Sequence, residues 1–531
     1  MSTYASELPS EYNWLTTAPT YSGTGVARFL DPELRVEGPV TIVYDEYDRE
    51  HIELQVERAD PEEALGLEFL LRGIRPQCIE LIVTTIEGEY RITEVVGNSM
   101  KAGPDGIWFQ FIPRWAVYDV TTNEAPSYWV LPLFNCLSDW IQRDPLLDQH
   151  PLRLSPVPRA HQQAEGNTDG ASRPAEQRNS ISFEFDGSRG FIEPLPDYEA
   201  RIALLKGKRA VHLITSIMVG NLNGKSIEEA DLDTWFPFDF INLLGLATGT
   251  EVGAPWIEFR GAQGQLVRRL HSSLSHPMFR RGRSAISELA HRRTGHLLTV
   301  AQSSPLYNTS ILRVTLKHVL RGGLDSHDLE GRLTHLFRAF EGLCREYNLS
   351  QQNLLTALDL ANQSHVKTAL QTAATNIRIH AASATQAGDF NQAAALNRIA
   401  ARAQSSSQSD VNFGLAVIAL LQRFDLHDAT VLNTHYQTHP RADGRKTWDA
   451  VLSFYRGATV HEGYLQGSGG NSDYSEAIAL VSHLHDILVR IVLKMLGYQG
   501  TYEPSTAKWF HTVRSLDWVT PTTSVAELGY S

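Results

Sequence analysis

The stretch LEGRLTHLFRAFEGLCREY, residues 329–347, has the period that decides the fold class of the second half of the chain. Its apolar side chains recur at steps of three and four residues, which places them on one face of a helix. Asp325 or Ser326 precedes the stretch as a candidate N-cap. The pattern predicts an amphipathic helix that packs into a larger helical assembly. Its apolar positions are Leu329, Leu333, Phe337, Phe340, Leu343 and Tyr347.

The helical period continues toward the C-terminus. The stretch DVNFGLAVIALLQRF, residues 410–424, is nearly all apolar, as is typical of a buried helix. Residues 481–496 carry another apolar stripe, which Gly497 is placed to end. We therefore expect an all-α bundle over residues 291–531.

The front of the chain has the pattern of β-strands. The stretches CIELIVTTIEGEYRITEVV, residues 78–96, and GIWFQFIPRWAVYDV, residues 106–120, are rich in Val, Ile, Tyr and Phe with partial alternation. They predict a β-rich N-terminal domain over residues 1–150, and a sensory or regulatory role for this domain is our hypothesis. The fold class we predict is therefore α+β and multidomain.

A polar segment follows. Residues 151–182 are rich in Pro, Gly, Ser and Gln, and they predict a flexible linker or an exposed loop. Residues 183–290 return to mixed patterns and predict a β/α domain. Within it we expect a helix that ends at Gly249 and a hairpin that turns at residues 261–264.

The bulk composition bounds the class of protein. Three cysteines, Cys78, Cys136 and Cys344, lie far apart, which excludes a disulfide framework and fits the reducing cytoplasm. The N-terminus lacks a signal-peptide pattern, and no apolar run of about 18 residues predicts a membrane span. We predict a cytoplasmic protein that has no membrane association, no metal and no cofactor.

Acidic residues are concentrated at the front. Residues 1–150 contain 25 Asp and Glu against 10 Lys and Arg, a net charge of −15, whereas the whole chain carries −13. The remainder therefore has a net charge of +2, and RNA should bind there. The richest cationic stretch predicts an RNA-steering surface, with a solvated hairpin and helix start as the alternative. It comprises Arg268, Arg269, Arg280, Arg281, Arg283, Arg292 and Arg293.

The stretch FYRGATVHEGYL, residues 454–465, carries the candidate catalytic residues Arg456 and His461. Gly463 is placed to end this helix, so His461 lies in the last turn, where the macrodipole favours a protonated imidazole by about 0.3–1 kcal/mol. In a regular α-helix the two side chains point about 140° apart. Either the helix distorts near Gly457, or a second copy across a two-fold axis brings the groups to one phosphate.

This pair of residues suits the cleavage of RNA. The arginine fork binds two phosphate oxygens and keeps its charge. A histidine that titrates near neutrality can take the proton of the 2′-OH and protonate the leaving oxygen. The reaction needs the 2′-OH, which RNA has and DNA lacks, and it needs no metal.

Arginine, four residues and histidine, late in a helical bundle, resembles the signature of HEPN domains. The form FYRGATVHEG is most similar to the ApeA-like branch, which opens its bundle with an aromatic-rich helix that carries a glutamate, here Glu341. The resemblance covers roughly residues 320–500. It implies a metal-independent endoribonuclease that cleaves RNA, including tRNA, in anti-phage defence by abortive infection. It also implies a homodimer or higher homo-oligomer, and a trigger that is phage-derived or a partner protein.

By this resemblance Arg456 and His461 are the catalytic pair, with Glu341 and Tyr455 in supporting positions. The residue after the arginine is usually polar in active members, whereas here it is Gly457. The alternative is therefore a non-catalytic HEPN adaptor that binds RNA or a partner protein. A transcription or scaffold protein with an incidental bundle is a third reading.

Other histidines have weaker patterns. His435 and His439 have the spacing of a metal site on a helix, but Pro440 favours a loop with two exposed histidines. His483 and His485 lie about 200° apart on a helix. We therefore expect one of them to face the core and the other to face solvent.

Overall fold

The computed structural model divides the chain into two compact units, Met1–Asn308 and Thr309–Ser531. All structural statements concern the described residues of each unit. Outside the description lie residues 1–20, 31–32, 45–49, 57–77, 104–105, 137–180, 196–197, 209, 211, 225–237, 273–277, 287–290, 326, 350–359, 409–412, 463–470, 507–512 and 531.

The first unit is built on one sheet of twelve strands in the described residues. The strands are β1 (Tyr21–Leu30), β2 (Glu33–Tyr44), β3 (Glu50–Val56), β4 (Cys78–Thr84), β5 (Gly88–Gly103), β6 (Gly106–Val120), β7 (Tyr128–Phe134), β8 (Ile181–Phe185), β9 (Ser188–Pro194), β10 (Ile214–Asn221), β11 (Trp256–Arg260) and β12 (Leu266–Ser272).

Neighbouring strands pair antiparallel in the order β3-β2-β1-β4-β5-β6-β12-β11-β7-β10-β9-β8. Strand β3 also pairs with the first part of β6, so strands β1 to β6 close into a ring. The last part of β6 pairs with β12 and continues the sheet into an open part. A single long strand thus belongs to both parts.

Three helices of the first unit lie in the described residues: α1 (Tyr198–Lys206), α2 (Phe238–Thr248) and α3 (His291–Gln302). Helix α2 packs Phe240 against Phe183 of β8, with ring centroids 4.7 Å apart. Gly249 follows α2 with φ +72°, and Gly264 has φ +93° in the β11–β12 hairpin, as the sequence predicts. Both turns use glycine because this φ region is strained for other residues.

Helix α3 lies on β8, which is why it belongs to the first unit. The backbone N–H of Glu184 donates to Thr299 Oγ1 at 3.0 Å, and that of Asp186 donates to Gln302 Oε1 at 2.8 Å. A Cβ at Gly295 would lie 2.1 Å from the carbonyl oxygen of Ser182, so helix and strand are in close contact.

The observed division differs from the one that the sequence predicts. Strands from residues 1–150 and from residues 183–290 pair in the same sheet, so these two segments share one unit. The helical region over 291–531 is divided at residue 308, because α3 packs on β8. Most of the predicted linker, 151–182, lies outside the described residues. The coarser prediction, an α+β chain with a β-rich front and a helical second half, is confirmed.

The second unit is helical. Its helices are α4 (Ser310–Gly323), α5 (Leu329–Glu346), α6 (Leu360–Gln386), α7 (Phe390–Gln408), α8 (Phe413–Arg423), α9 (Asp428–Thr438), α10 (Trp448–Arg456) and α11 (Asn471–Met495). A π-helical turn, Gly457–Glu462, continues α10. The short strands Thr501–Tyr502 and Arg514–Ser515 pair near the C-terminus, and a 3₁₀ turn spans Val525–Leu528.

Helix α5 buries most of its predicted apolar positions, including Leu333, Phe337 and Phe340. Its N-cap is Asp328, whose carboxylate accepts from the N–H of Gly331, and not Asp325 or Ser326 as predicted. The helix begins at Leu329, directly after this cap, and so later than the predicted caps would place it.

Helix α8 meets α10 at Gly414, which lies against the backbone of Asp449. A Cβ at Gly414 would lie 2.3 Å from the carbonyl oxygen and 2.6 Å from the Cα of Asp449. Backbone atoms cannot swing aside, so Gly414→Ala must push the two helices apart. We expect this substitution to lower the free energy of unfolding by about 3 kcal/mol, measured by urea unfolding followed through the helical circular dichroism signal.

Gly457→Ala is the matched control for Gly414→Ala. A Cβ at Gly457 would meet no heavy atom within 4 Å, and its φ of −56° is helical. We expect unchanged or slightly increased stability, because alanine has the higher helix propensity. Equal losses in both variants would contradict the role of the Gly414 contact.

Candidate active site

The candidate site lies where α10 changes into the π-turn. Helix α10 packs its apolar face into the second unit, and Arg456 is its last residue. Thr459 Oγ1 donates to the carbonyl oxygen of Tyr455 at 2.8 Å, so a side chain supplies a partner to a carbonyl at this transition. Hydroxyl bonding back to a residue four positions earlier is known to bend helices. The buried residues of α10 are Trp448, Val451, Leu452 and Tyr455.

The π-turn changes the angular relation between positions 456 and 461. Its hydrogen bonds connect residues five apart and not four apart, so residues five apart point in more similar directions than they do in an α-helix. Position 461 falls inside Gly457–Glu462 and position 456 directly precedes it. The distortion near Gly457 that a shared site would need is therefore present in the backbone. The side chain of His461 lies outside the described residues.

Arg456 is held by an acid and an aromatic ring. Its Nε donates to Glu341 Oε1 of α5 at 2.6 Å, and its guanidinium carbon lies 5.3 Å from the ring centroid of Phe413. About a third of each charged side chain is exposed, 30% for Arg456 and 31% for Glu341. Among the described residues, neither terminal amino group of Arg456 makes a hydrogen bond. The pair thus fixes the arginine while its fork can still contact an anion.

Tyr455 belongs to a different network. Its side chain is buried, and its hydroxyl donates to Glu476 Oε2 of α11 at 2.6 Å. Tyr436 donates to the other oxygen of Glu476 at 3.0 Å, and Arg441 forms an ion pair with the same carboxylate. Tyr455 therefore connects α10 to α9 and α11. These contacts give Tyr455 a structural role next to Arg456 in the chain. The sequence pattern does not predict its partner, Glu476.

Cys344 lies close to the site but is not a nucleophile at neutral pH. Burial, and then the nearby charge of Glu341, raise the pKa of its thiol to about 12. A thiol with this pKa stays protonated at pH 7, and the thiolate is the reactive form. Arg456 and Glu341 are the charged side chains that pair in the described part of this candidate site.

The expectation for His483 and His485 is wrong, because both are buried. Helix α11 is enclosed on all sides in this region, so no face is left for solvent. His483 Nε2 contacts Asp428 Oδ1 at 2.7 Å, and His485 Nδ1 contacts Ser505 Oγ at 2.5 Å. Neither imidazole can reach a substrate.

His435 and His439 lie at the end of α9. Their rings stack with centroids 5.2 Å apart, and His439 is exposed at the C-cap. His435 is half-buried in the last turn of the helix and not in a loop. No group of three or more ligand-type side chains in the described residues is arranged to hold a metal ion.

Two arginines of the predicted RNA-steering surface pair with acids across neighbouring strands. Arg269 is buried, and its Nε lies 2.9 Å from Glu258 Oε1 on β11. Arg268 Nε lies 2.5 Å from Asp119 Oδ1 on β6. The register of β12 places each arginine directly opposite its acid, which the sequence alone does not reveal. The buried position of Arg269 differs from the surface position that RNA steering requires.

The other members of that stretch are separated from the hairpin. Arg281 is exposed, and Arg280, Arg283 and Arg293 are half-buried. The side chain of Arg292 lies outside the described residues. All seven arginines belong to the first unit, whereas Arg456 belongs to the second.

None of the described helices combines the length and the apolarity that crossing a bilayer requires. Comparison of this chain with protein-family models, with curated proteins and with solved structures finds no match.

Proposed function

We propose that this chain is a metal-independent HEPN-type endoribonuclease that acts on RNA, with tRNA among its candidate substrates. In this proposal Arg456 binds the scissile phosphate and His461 moves the proton of the 2′-OH. Glu341 orients the guanidinium. The protein acts as a cytoplasmic homodimer in anti-phage defence by abortive infection, and a phage-derived or partner-protein trigger acts through the β-rich first unit.

The observation that carries the proposal is the π-turn between Arg456 and His461. An uninterrupted α-helix would hold these positions about 140° apart, and a π-turn reduces that angle. Such turns are rare and frequently occur at functional sites. The Arg456–Glu341 pair supports the proposal, because it holds a partly exposed arginine side chain in a fixed orientation beside the turn.

A non-catalytic adaptor that binds RNA or protein is the second candidate, and Gly457 favours it. No heavy atom lies within 4 Å of the position where a side chain would begin. The space that a polar side chain would occupy in an active member is therefore open here. The adaptor keeps the anion-binding arginine but lacks a complete proton-transfer site.

Cleavage of labelled tRNA by the purified full-length protein in EDTA separates the two candidates. The control substrate is the same sequence with 2′-O-methyl groups, which removes the nucleophile and keeps the phosphates. We expect cleavage of the unmodified RNA alone, with cyclic phosphate ends, because the 2′-oxygen attacks the adjacent phosphorus. Cleavage of both substrates, or cleavage that EDTA stops, would refute the proposed chemistry. RNA binding without cleavage would support the adaptor.

A further inference from the structure

Helix α4 carries a cationic stripe that runs along its outer face. Arg313, Lys317 and Arg321 follow each other at four-residue steps, and Ser310–Gly323 contains no Asp or Glu. The opposite face of the helix is buried and includes Leu312, Leu316 and Val319. Residues four apart lie about 40° apart around a helix, so the three cations share one side.

Imidazoles extend this stripe onto α5. His318 Nδ1 of α4 lies 2.9 Å from His335 Nδ1 of α5, and the ring of His327 lies 5.5 Å from that of His335. Burial lowers the pKa of His335 to about 4, and the charges of His318, Arg321, His327 and Arg338 add to the effect. The positive groups around these rings are thus close enough to hold the imidazoles neutral.

Such a surface attracts anions. Burial is the largest cause that lowers the pKa of His318, and Arg338, Arg321 and Lys317 lower it further. For both His318 and His335, the neighbouring groups that lower the pKa are cations or imidazoles. A bound phosphate would offset this concentration of positive charge. The whole chain carries −13, with the excess of acid in residues 1–150, whereas the only charged side chains of Ser310–Gly323 are cations.

Helix α5 connects the stripe to the candidate active site. Arg338 is exposed and lies three residues before Glu341, the partner of Arg456. Side chains three apart on a helix are neighbours, with Cβ atoms about 5–6 Å apart. A strand of phosphates that lies on the stripe could therefore continue to the guanidinium of Arg456.

We propose that α4 and α5 form a phosphate-backbone binding surface for single-stranded RNA. The surface is defined by Lys317, His318, Arg321, His335 and Arg338. This inference deepens the proposed function, on which it rests for the choice of RNA. The lysine and the arginines contact successive phosphates. The imidazoles of His318 and His335 also contact a phosphate, whose negative charge favours their protonated form. The surface reads no base sequence, because its contacts are to the backbone.

Fluorescence anisotropy with a labelled 2′-O-methyl RNA tests this surface without any cleavage. The variant is Lys317→Gln/Arg338→Gln in the full-length protein. The matched control, Lys367→Gln/Arg398→Gln, removes the same charge from exposed positions on α6 and α7. We expect the first pair to weaken binding by about tenfold and to reduce the slope of log K against log salt by about 1.4, since each phosphate contact contributes about 0.7. The control pair should leave both quantities unchanged.

The outcomes separate this inference from the proposed function. Equal weakening by both pairs, or by neither, overturns the surface even if the protein cleaves tRNA. Weakening by the first pair alone supports the surface even if no form of the protein cleaves RNA. Binding of phosphatidylserine vesicles in preference to RNA, lost in the first pair alone, would instead show a membrane surface and overturn the choice of RNA.

Discussion

Replacing His461 by alanine is expected to reduce the rate of RNA cleavage by at least about 100-fold. A positioned acid or base contributes about 10²- to 10⁴-fold to such reactions. Arg456→Ala should cause a loss of similar or larger size, because it removes the cation that stabilises charge on the phosphate. Single-turnover cleavage of labelled tRNA in EDTA measures both losses.

Arg456→Lys distinguishes charge from geometry at this position. Lysine keeps the positive charge but lacks the planar fork that binds two oxygens. We expect only partial recovery of the cleavage rate over Arg456→Ala. Full recovery would mean that a point charge suffices, and that the orientation given by Glu341 has no role in the reaction.

The controls for these variants are His439→Ala and Arg398→Ala. Each removes the same kind of side chain from an exposed position in the second unit. Both should cleave at the rate of the unmodified protein. Unchanged cleavage in His461→Ala and Arg456→Ala would refute the catalytic assignment, and another pair of groups would have to be sought.

Replacing Arg490 by leucine is expected to lower the free energy of unfolding by about 3–5 kcal/mol. Arg490 is completely buried in α11, with ion pairs to Asp428 and to Asp486, the latter at 3.1 Å. Its removal leaves two buried carboxylates without their shared cation. Urea unfolding followed through the helical circular dichroism signal measures the loss.

The pKa values of Asp428 and Asp486 shift in opposite directions, and these shifts show how Arg490 acts on the two carboxylates. Burial acts to raise the pKa of Asp428, but Arg490 and His483 together outweigh it, and the pKa lies below its ordinary value. Burial dominates at Asp486, whose pKa is raised although Arg490 opposes the shift. Without Arg490, both carboxylates lose the main charge that keeps them ionised in the interior.

A second substitution tests this explanation. Adding Asp428→Asn and Asp486→Asn to Arg490→Leu removes the uncompensated charges, so part of the lost stability should return. The exposed variant Arg398→Leu should change stability by less than about 0.5 kcal/mol. A triple variant that is less stable than Arg490→Leu would show that the amide geometry, and not the charge, sets the loss.

The same network attaches the C-terminal segment to the bundle. Tyr502 donates to Asp486 Oδ2 at 3.0 Å, and the hydroxyl of Tyr530 lies 3.2 Å from His483 Nδ1. Tyr530 is far from α11 in sequence, whereas Tyr502 follows soon after the end of the helix. His483 and Asp486 of α11 are therefore part of the network that fixes this C-terminal segment.

Local patterns predicted the elements well where one physical rule acts within a few residues. The three- and four-residue period of α5 places Leu333 and Phe340 in the core, and Gly249 and Gly497 adopt the positive φ that ends their helices. The alternation in residues 181–185 gives the half-buried strand β8. Such features depend on residues that are close together in sequence, so they can be predicted from the sequence alone.

The sequence by itself determined the order of a β-rich front and a helical second half, and it singled out Arg456 and His461 as a candidate pair. The tertiary structure decided that strands on both sides of residues 151–182 share one sheet, that Arg269 is buried against Glu258, and that His318 of α4 lies against His335 of α5. These outcomes depend on strand register and helix packing. Each brings together residues that are distant in sequence, and the period of a single element carries no information about its partner.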